Sequence, residues 1–200
     1  ILYKVLNDRE KIYCERVFAP AVDMEALMRE ENMPLMTLES KTPLKEMDFV
    51  GFTLQYEMSY TTVLNMIDLA QIPLKAADRA SEASVTGKEY PLIVAGGPCA
   101  LNPEPLAEFI DMFLIGDGEE VLPAVVELYA DCKKKGMTRQ EFYHEACKLD
   151  GVYIPSLYDV VYNEDGTIKE LCKLYNDAPL PVRRAIIGTI ENLPFPTDPI

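Results

Sequence analysis

Apolar and polar positions along this chain follow two rhythms. Short, nearly unbroken apolar runs over 49–54, 92–96 and 112–116, with a shorter one over 16–19, predict strands. The first three of these carry almost no polar side chain, as strands do when helices cover both faces of their sheet. Between them the period lengthens to that of a helix. Met24, Leu27 and Met28 fall on one face behind Asp23, which reads as a cap. Val63, Leu64, Ile67 and Ala70 follow Ser59 or Thr61 and run to about Ile72, where Pro73 stops them. Asn102 before Pro103 predicts a cap with proline in the first turn of a helix reaching about Ile110. A longer helix opens with Glu119 and Glu120 and closes with Lys133, Lys134 and Lys135 before Gly136, charges that oppose the macrodipole at both ends. Thr138 with Glu141 forms a capping box for one more, over 139–149.

Strands alternating with helices predict crossover units, and so an α/β domain built as a flavodoxin-like or Rossmann-like doubly wound parallel sheet. Such a domain begins with a strand. Here Leu2, Val5 and Leu6 fall at helical spacing with no cap before them, so the expectation is a sheet that lacks its first strand. A sheet of that kind must rearrange, pair with another chain or tolerate an open edge, and pairing through the exposed edge would give a homodimer. Residues 80–89 read as a surface loop. After Gly151 the pattern turns to a hairpin, 158–163 and 167–174 around Asp165 and Gly166, and residues 182–189 predict one further strand. Pro194, Pro196 and Pro199 mark a linker. The expected organisation is a Rossmann-like domain over 1–150, a β-hairpin extension over 151–190 and a linker over 191–200.

Composition narrows the function. The 200 residues are 48% hydrophobic, enough to bury one substantial core. Lys and Arg number 19 against 33 Asp and Glu, a net charge of −14 that repels a phosphate backbone and argues against nucleic acid as a partner. No apolar run approaches the roughly 20 residues that cross a bilayer, so no membrane role is expected. The cysteines, Cys14, Cys99, Cys132, Cys147 and Cys172, are scattered without CxxC spacing and read as structural thiols in a reducing, cytoplasmic compartment. His144 sits in a stretch predicted to be a surface helix, away from any candidate chemistry. Neither a catalytic residue nor a metal ligand is assigned.

In an open parallel sheet, ligands settle at the carboxyl ends of the strands. The loops there read Thr53-Leu54-Gln55-Tyr56-Glu57, Gly96-Gly97-Pro98-Cys99 and Gly116-Asp117-Gly118-Glu119-Glu120. Paired glycines let backbone approach a flat ligand, or simply turn the chain; the two glutamates can accept hydrogen bonds from a ligand or begin their helix. Cys99, near glycine amides, is either a reactive thiol or a packed one. Strand 49–54 ends in Thr53 where a receiver domain needs a phosphoacceptor Asp, and Gly-Gly-Pro is not the GxGxxG of a dinucleotide site.

The wording of these loops resembles a known family. The run Leu92-Ile93-Val94-Ala95-Gly96-Gly97-Pro98, then Asn102-Pro103-Glu104-Pro105, then Asp111-Met112-Phe113-Leu114-Ile115-Gly116-Asp117-Gly118-Glu119-Glu120 is similar to the GGP and GEGE stretch of cobalamin-binding-type radical SAM proteins. Asp48-Phe49-Val50-Gly51-Phe52-Thr53-Leu54 resembles that family's central strand. The resemblance implies an N-terminal, cobalamin-binding-like accessory domain of an uncharacterised radical SAM branch, not catalytic alone. It implies a ligand surface on Thr53, Gln55, Gly96, Gly97, Gly116, Asp117 and Gly118. It implies a 4Fe-4S cluster and S-adenosylmethionine in a parent protein, whose barrel in the same polypeptide would be the partner. The DxHxxG loop that places an imidazole on cobalt is absent, so cobalamin would bind without histidine ligation. The CxxxCxxC cluster motif is absent too. The competing expectation is a docking module with this fold and no cofactor.

Overall fold

The computed structural model describes residues 1–87, 89–189 and 191. In chain order the regular elements are α1 (Leu2–Asn7), α2 (Val22–Glu30), β1 (Phe49–Thr53), α3 (Tyr60–Leu69), α4 (Ala76–Thr86), β2 (Leu92–Gly96), β3 (Met112–Leu114), α5 (Gly118–Lys134), α6 (Arg139–Ala146), β4 (Val152–Tyr153), β5 (Tyr158–Tyr162) and β6 (Ile168–Lys173). They fall into two compact units, Tyr13–Asp111 and a terminal unit that joins Ile1–Ile12 to the residues from Met112 onward.

In the Tyr13–Asp111 unit, β1 and β2 pair in parallel, Phe49 with Leu92 through Thr53 with Gly96. A parallel pair needs a crossover, and α3 and α4 supply it. Every residue from Leu92 to Ala95 is buried, as the unbroken apolar run predicts. From α3, Val63, Met66, Ile67 and Leu69 enter the core. The largest fully buried side chain is a charged one, Arg79 of α4. Its Nη1 donates to the carbonyls of Pro73 (2.8 Å) and Leu74 (2.7 Å), and its Nη2 to Phe109 O (2.7 Å) and Asp111 Oδ2 (2.9 Å). The same carboxylate oxygen accepts the Ile93 N–H at 2.8 Å, so one ion pair ties helix, strand and the chain entering β3.

In the terminal unit β3 and β4 are antiparallel, Phe113 opposite Tyr153 and Leu114 opposite Val152. Val5 and Leu6 of α1 are buried, and Arg9 just beyond that helix pairs with Glu127 of α5 at 2.8 Å. The capping box of α6 is present: the Glu141 N–H donates to Thr138 Oγ1 (3.2 Å) and the Thr138 N–H to Glu141 Oε2 (2.7 Å). β5 and β6 form the expected hairpin, Tyr158 opposite Lys173 through Tyr162 opposite Ile168. The architecture is mixed α/β with a helix-crossed parallel pair and a C-terminal antiparallel hairpin, consistent with the Rossmann-like or flavodoxin-like class expected.

Several local expectations are corrected. Residues 16–19 form no strand; the Arg16 backbone and side chain are taken up by Glu39 at 2.8 Å, and Pro20 follows. Most of the 80–89 loop is helix, because α4 runs through Thr86 on the anchor that Arg79 provides. In place of the helix expected after Asn102 stands one 3-10 turn, Glu104–Leu106, and another, Pro98–Leu101, precedes Asn102. The cap of α2 is Ala21, not Asp23, and only Met28 of its three apolar positions is buried; Met24 and Leu27 face solvent. β3 stops at Leu114, α6 stops at Ala146, and 182–189 contributes a single bridge, Ala185 beside Gly116. The linker expected over 191–200 lies, apart from Glu191, outside the described residues. Among the described residues no helix is long and apolar enough to cross a membrane.

Candidate functional site

The expected ligand residues divide between the two units. Thr53, Gln55, Gly96 and Gly97 lie together at the carboxyl ends of β1 and β2. Thr53 and Gly96 are register partners, the Leu54 N–H donates to Gly96 O at 2.7 Å, and the Cys99 N–H returns to Leu54 O at 3.0 Å. Leu54 is thereby clamped between the two loops and is buried, whereas Thr53 and Gln55 on either side of it are exposed. This alternation is that of an extended segment, and it turns a hydroxyl and an amide outward from one edge.

Gly97 has φ 96°, a region open essentially to glycine alone. A Cβ there would stand 2.9 Å from Leu54 O and 3.2 Å from Thr53 Cγ2. The glycine is thus demanded by the chain's own crossing over Leu54, whatever else approaches it. Around this edge Tyr56, Met58 and Leu101 are exposed, Met58 at 84%. Tyr60 opens α3 nearby, and its hydroxyl pKa is raised by burial first and by its contact with Cys99. Cys99 itself is half-buried.

In the terminal unit, Gly116, Asp117 and Gly118 form the turn from β3 into α5. Gly116 has φ 108°, and the space where its Cβ would project is taken by the backbone of Ala185. At Gly118 a Cβ would reach Leu2 Cδ2 at 3.4 Å, an ordinary contact. Glu119 and Glu120 occupy the first turn of α5, where negative charge meets the positive end of the dipole.

The other candidate groups are engaged elsewhere. The His144 ring stacks on Tyr175, centroids 3.8 Å apart and planes 5° from parallel, and its Nε2 meets the Gln140 amide at 3.1 Å. It belongs to α6 and offers no imidazole to the turns described above. Burial pushes the thiols of Cys14, Cys132 and Cys147 up from their ordinary values, which makes them poor nucleophiles. Among the described residues no three His, Cys, Asp or Glu side chains converge on a metal position, so these residues do not fit an iron–sulfur cluster.

Sequence reasoning missed the Ala185 contact with Gly116. Nothing local signals it: an alanine among 182–187 looks like any other apolar position, and its partner lies far away in the chain. Arg79 also went unnoticed as a buried anchor, although an arginine in the alanine-rich stretch 76–83 is a usable hint.

A helix-crossed parallel pair with glycine turns at its rim defines a Rossmann-like module. Compared with known proteins, the chain matches the family described as radical SAM proteins, N-terminal, over residues 1–155. It therefore belongs to that family. It is also 32% identical over 102 residues to Uncharacterized protein MJ0966 of Methanocaldococcus jannaschii, a stretch covering 49% of this chain and 20% of the relative. The matched stretch thus spans about a fifth of that protein's length. No solved structure matches.

Proposed function

We propose that this chain is the N-terminal accessory domain of a radical SAM iron–sulfur enzyme, one that presents a cobalamin-type ligand face and contributes no reacting group of its own. The observation that carries the reading is the match to the N-terminal region of radical SAM proteins over residues 1–155. On this reading the 4Fe-4S cluster and S-adenosylmethionine belong to a barrel in the same polypeptide. That barrel is the domain's working partner. Thr53, Gln55, Gly96 and Gly97 in one unit, and Gly116, Asp117 and Gly118 in the other, are the candidate contact residues, each set taken by itself, with cobalamin held by hydrogen bonds and contact alone. Five cysteines with no disulfide among them support a reducing, cytoplasmic setting.

The test is anaerobic reconstitution of the parent protein with iron and sulfide. A reduced 4Fe-4S signal in electron paramagnetic resonance, together with reductive cleavage of S-adenosylmethionine, is the expected result; a parent that binds no iron overturns the assignment.

A second reading, a cofactor-free docking module, is favoured by two facts. Gly97 and Gly116 are both required by the chain's own backbone, and Tyr56, Met58 and Leu101 stand exposed as contact residues would. A cobalamin titration separates the two readings: a perturbed corrin spectrum supports the ligand face, and an unperturbed one supports docking on the barrel or on a second copy. Sedimentation of the purified chain reads the homodimer directly.

A further inference from the structure

Residues 183–187 run along the terminal unit where β3 and β4 part. The Gly151 N–H donates to Arg183 O at 2.7 Å, the Ala185 N–H to Ile115 O at 2.8 Å, and the Asp117 N–H to Ala185 O at 3.0 Å. The slot that receives Ala185 is shaped by two glycines with positive φ, Gly116 at 108° and Gly151 at 86°. A Cβ on Gly116 would overlap the Ala185 carbonyl, and one on Gly151 would stand 2.7 Å from the Ala185 Cβ. The Ala185 methyl therefore lies against the bare Cα of Gly151. Arg183, Arg184 and Ile186 on either side are exposed, so this short segment is held by its backbone and one methyl group.

Asp117 adds a second observation. It occupies the N-cap position of α5 with extended dihedrals, φ −78° and ψ 119°, and aspartate is among the best residues for capping. Yet its side chain makes no capping bond. Oδ2 instead accepts the Ile187 N–H at 2.9 Å. One carboxylate therefore faces two alternative sets of donors, the strap's N–H and the first-turn N–H groups of α5.

We propose that residues 183–187 are a releasable strap over the Gly116–Gly118 turn and that Asp117 is its switch. With the strap down, Asp117 holds Ile187. With the strap up, Asp117 caps α5, so release leaves neither a partnerless carboxylate nor a frayed helix, and the side of Gly116 that Ala185 covers opens. This deepens the reading of that turn as part of a ligand face and rests on it for its purpose: the strap regulates access to the turn.

Limited trypsin digestion of the full chain, followed by mass spectrometry, reads strap release as cleavage after Arg183 and Arg184. Ala185→Leu overfills the slot and is expected to speed that cleavage by about tenfold or more, because proteolysis follows the population of the open form. Hydrogen exchange in the first turn of α5 should become slower in this variant than in wild type, since Asp117 takes up a cap that it does not make with the strap down. Asp117→Ala removes both roles, so cleavage should accelerate while first-turn exchange is not slowed. Wild-type cleavage rates in Ala185→Leu overturn the proposal, as does fast cleavage accompanied by lost protection along the whole of α5. If Ala185→Leu fails to fold, Asp117→Ala carries the test, and unchanged cleavage there overturns it. Aquocobalamin added to wild type and Ala185→Leu supplies the separate arm. A larger corrin absorbance change in the variant supports both readings; fast cleavage with no corrin change in either protein sustains the strap and overturns the ligand face.

Discussion

Arg79 and Asp111 show what a single buried charge demands. Removing a guanidinium from water is costly unless its donors are used, and four of them are, leaving only Nε without a partner among the described residues. Arg79→Met leaves Asp111 buried without its cation and should cost about 3–5 kcal/mol of stability, read by urea unfolding. Asp111→Asn, which keeps an acceptor for the Ile93 N–H, should cost clearly less. Tyr158 is the other residue with a strong environmental signature. Its hydroxyl donates to Pro179 O at 2.6 Å, and burial, then the neighbouring Cys147, raises its pKa from 10.0 to about 12. A raised pKa favours the protonated form, so the stability it contributes is complete below pH 10, the unfolded value, and is lost as pH climbs toward about 12. A tyrosinate absorbance component near pH 12 is expected in wild type and should vanish in Tyr158→Phe.

At the scale of elements, α6 depends on a reciprocal pair that titrates. The Thr138 backbone N–H, more than its hydroxyl, holds the Glu141 carboxyl below its ordinary value of 4.5. A depressed pKa stabilises the charged form, so the capping box contributes fully above pH 4.5 and fades as pH falls through the lowered value. Amide exchange in the first turn of α6 should accelerate on acidification in wild type and be fast at every pH in Glu141→Ala. This box was legible from two residues, because both of its bonds are local. The parallel strands β1 and β2, and the hairpin β5–β6, were legible for a similar reason: their apolar periods are strong and their turns hold Gly or Asp. Residues 103–110 were misjudged because Asn102 and Pro103 do signal a helix start, and only the short 3-10 turn Glu104–Leu106 follows them. The helix α4 was missed because its exposed positions include Ser81, Glu82, Ser84 and Thr86, and its one deep anchor is a charged residue, which composition assigns to the surface.

At the scale of the whole molecule, the net charge of −14 is the property that sets its partners. A field of that sign disfavours polyanions at any orientation, so the chain should pass unretained through heparin and DNA columns at low salt. Of the candidate ligand face, the positions were legible and the surroundings were not. Strand ends and glycine pairs could be read off the chain, which is how Thr53, Gln55, Gly96 and Gly97 were placed at one edge. Whether a glycine meets solvent or its own chain depends on contacts such as Ala185 with Gly116, and no local pattern encodes those.

The β1–β2 pair also fixes an order of assembly. Phe49 finds Leu92 only after both crossover helices have been made, so closing that contact carries a large loop-entropy cost and is intrinsically slow. The hairpin β5–β6 closes through the short turn at Asp165 and Gly166 and can form within microseconds of its own synthesis. During translation, β1 therefore waits with an unsatisfied edge until residue 96 has left the ribosome, and this interval is when the nascent chain is most in need of a chaperone.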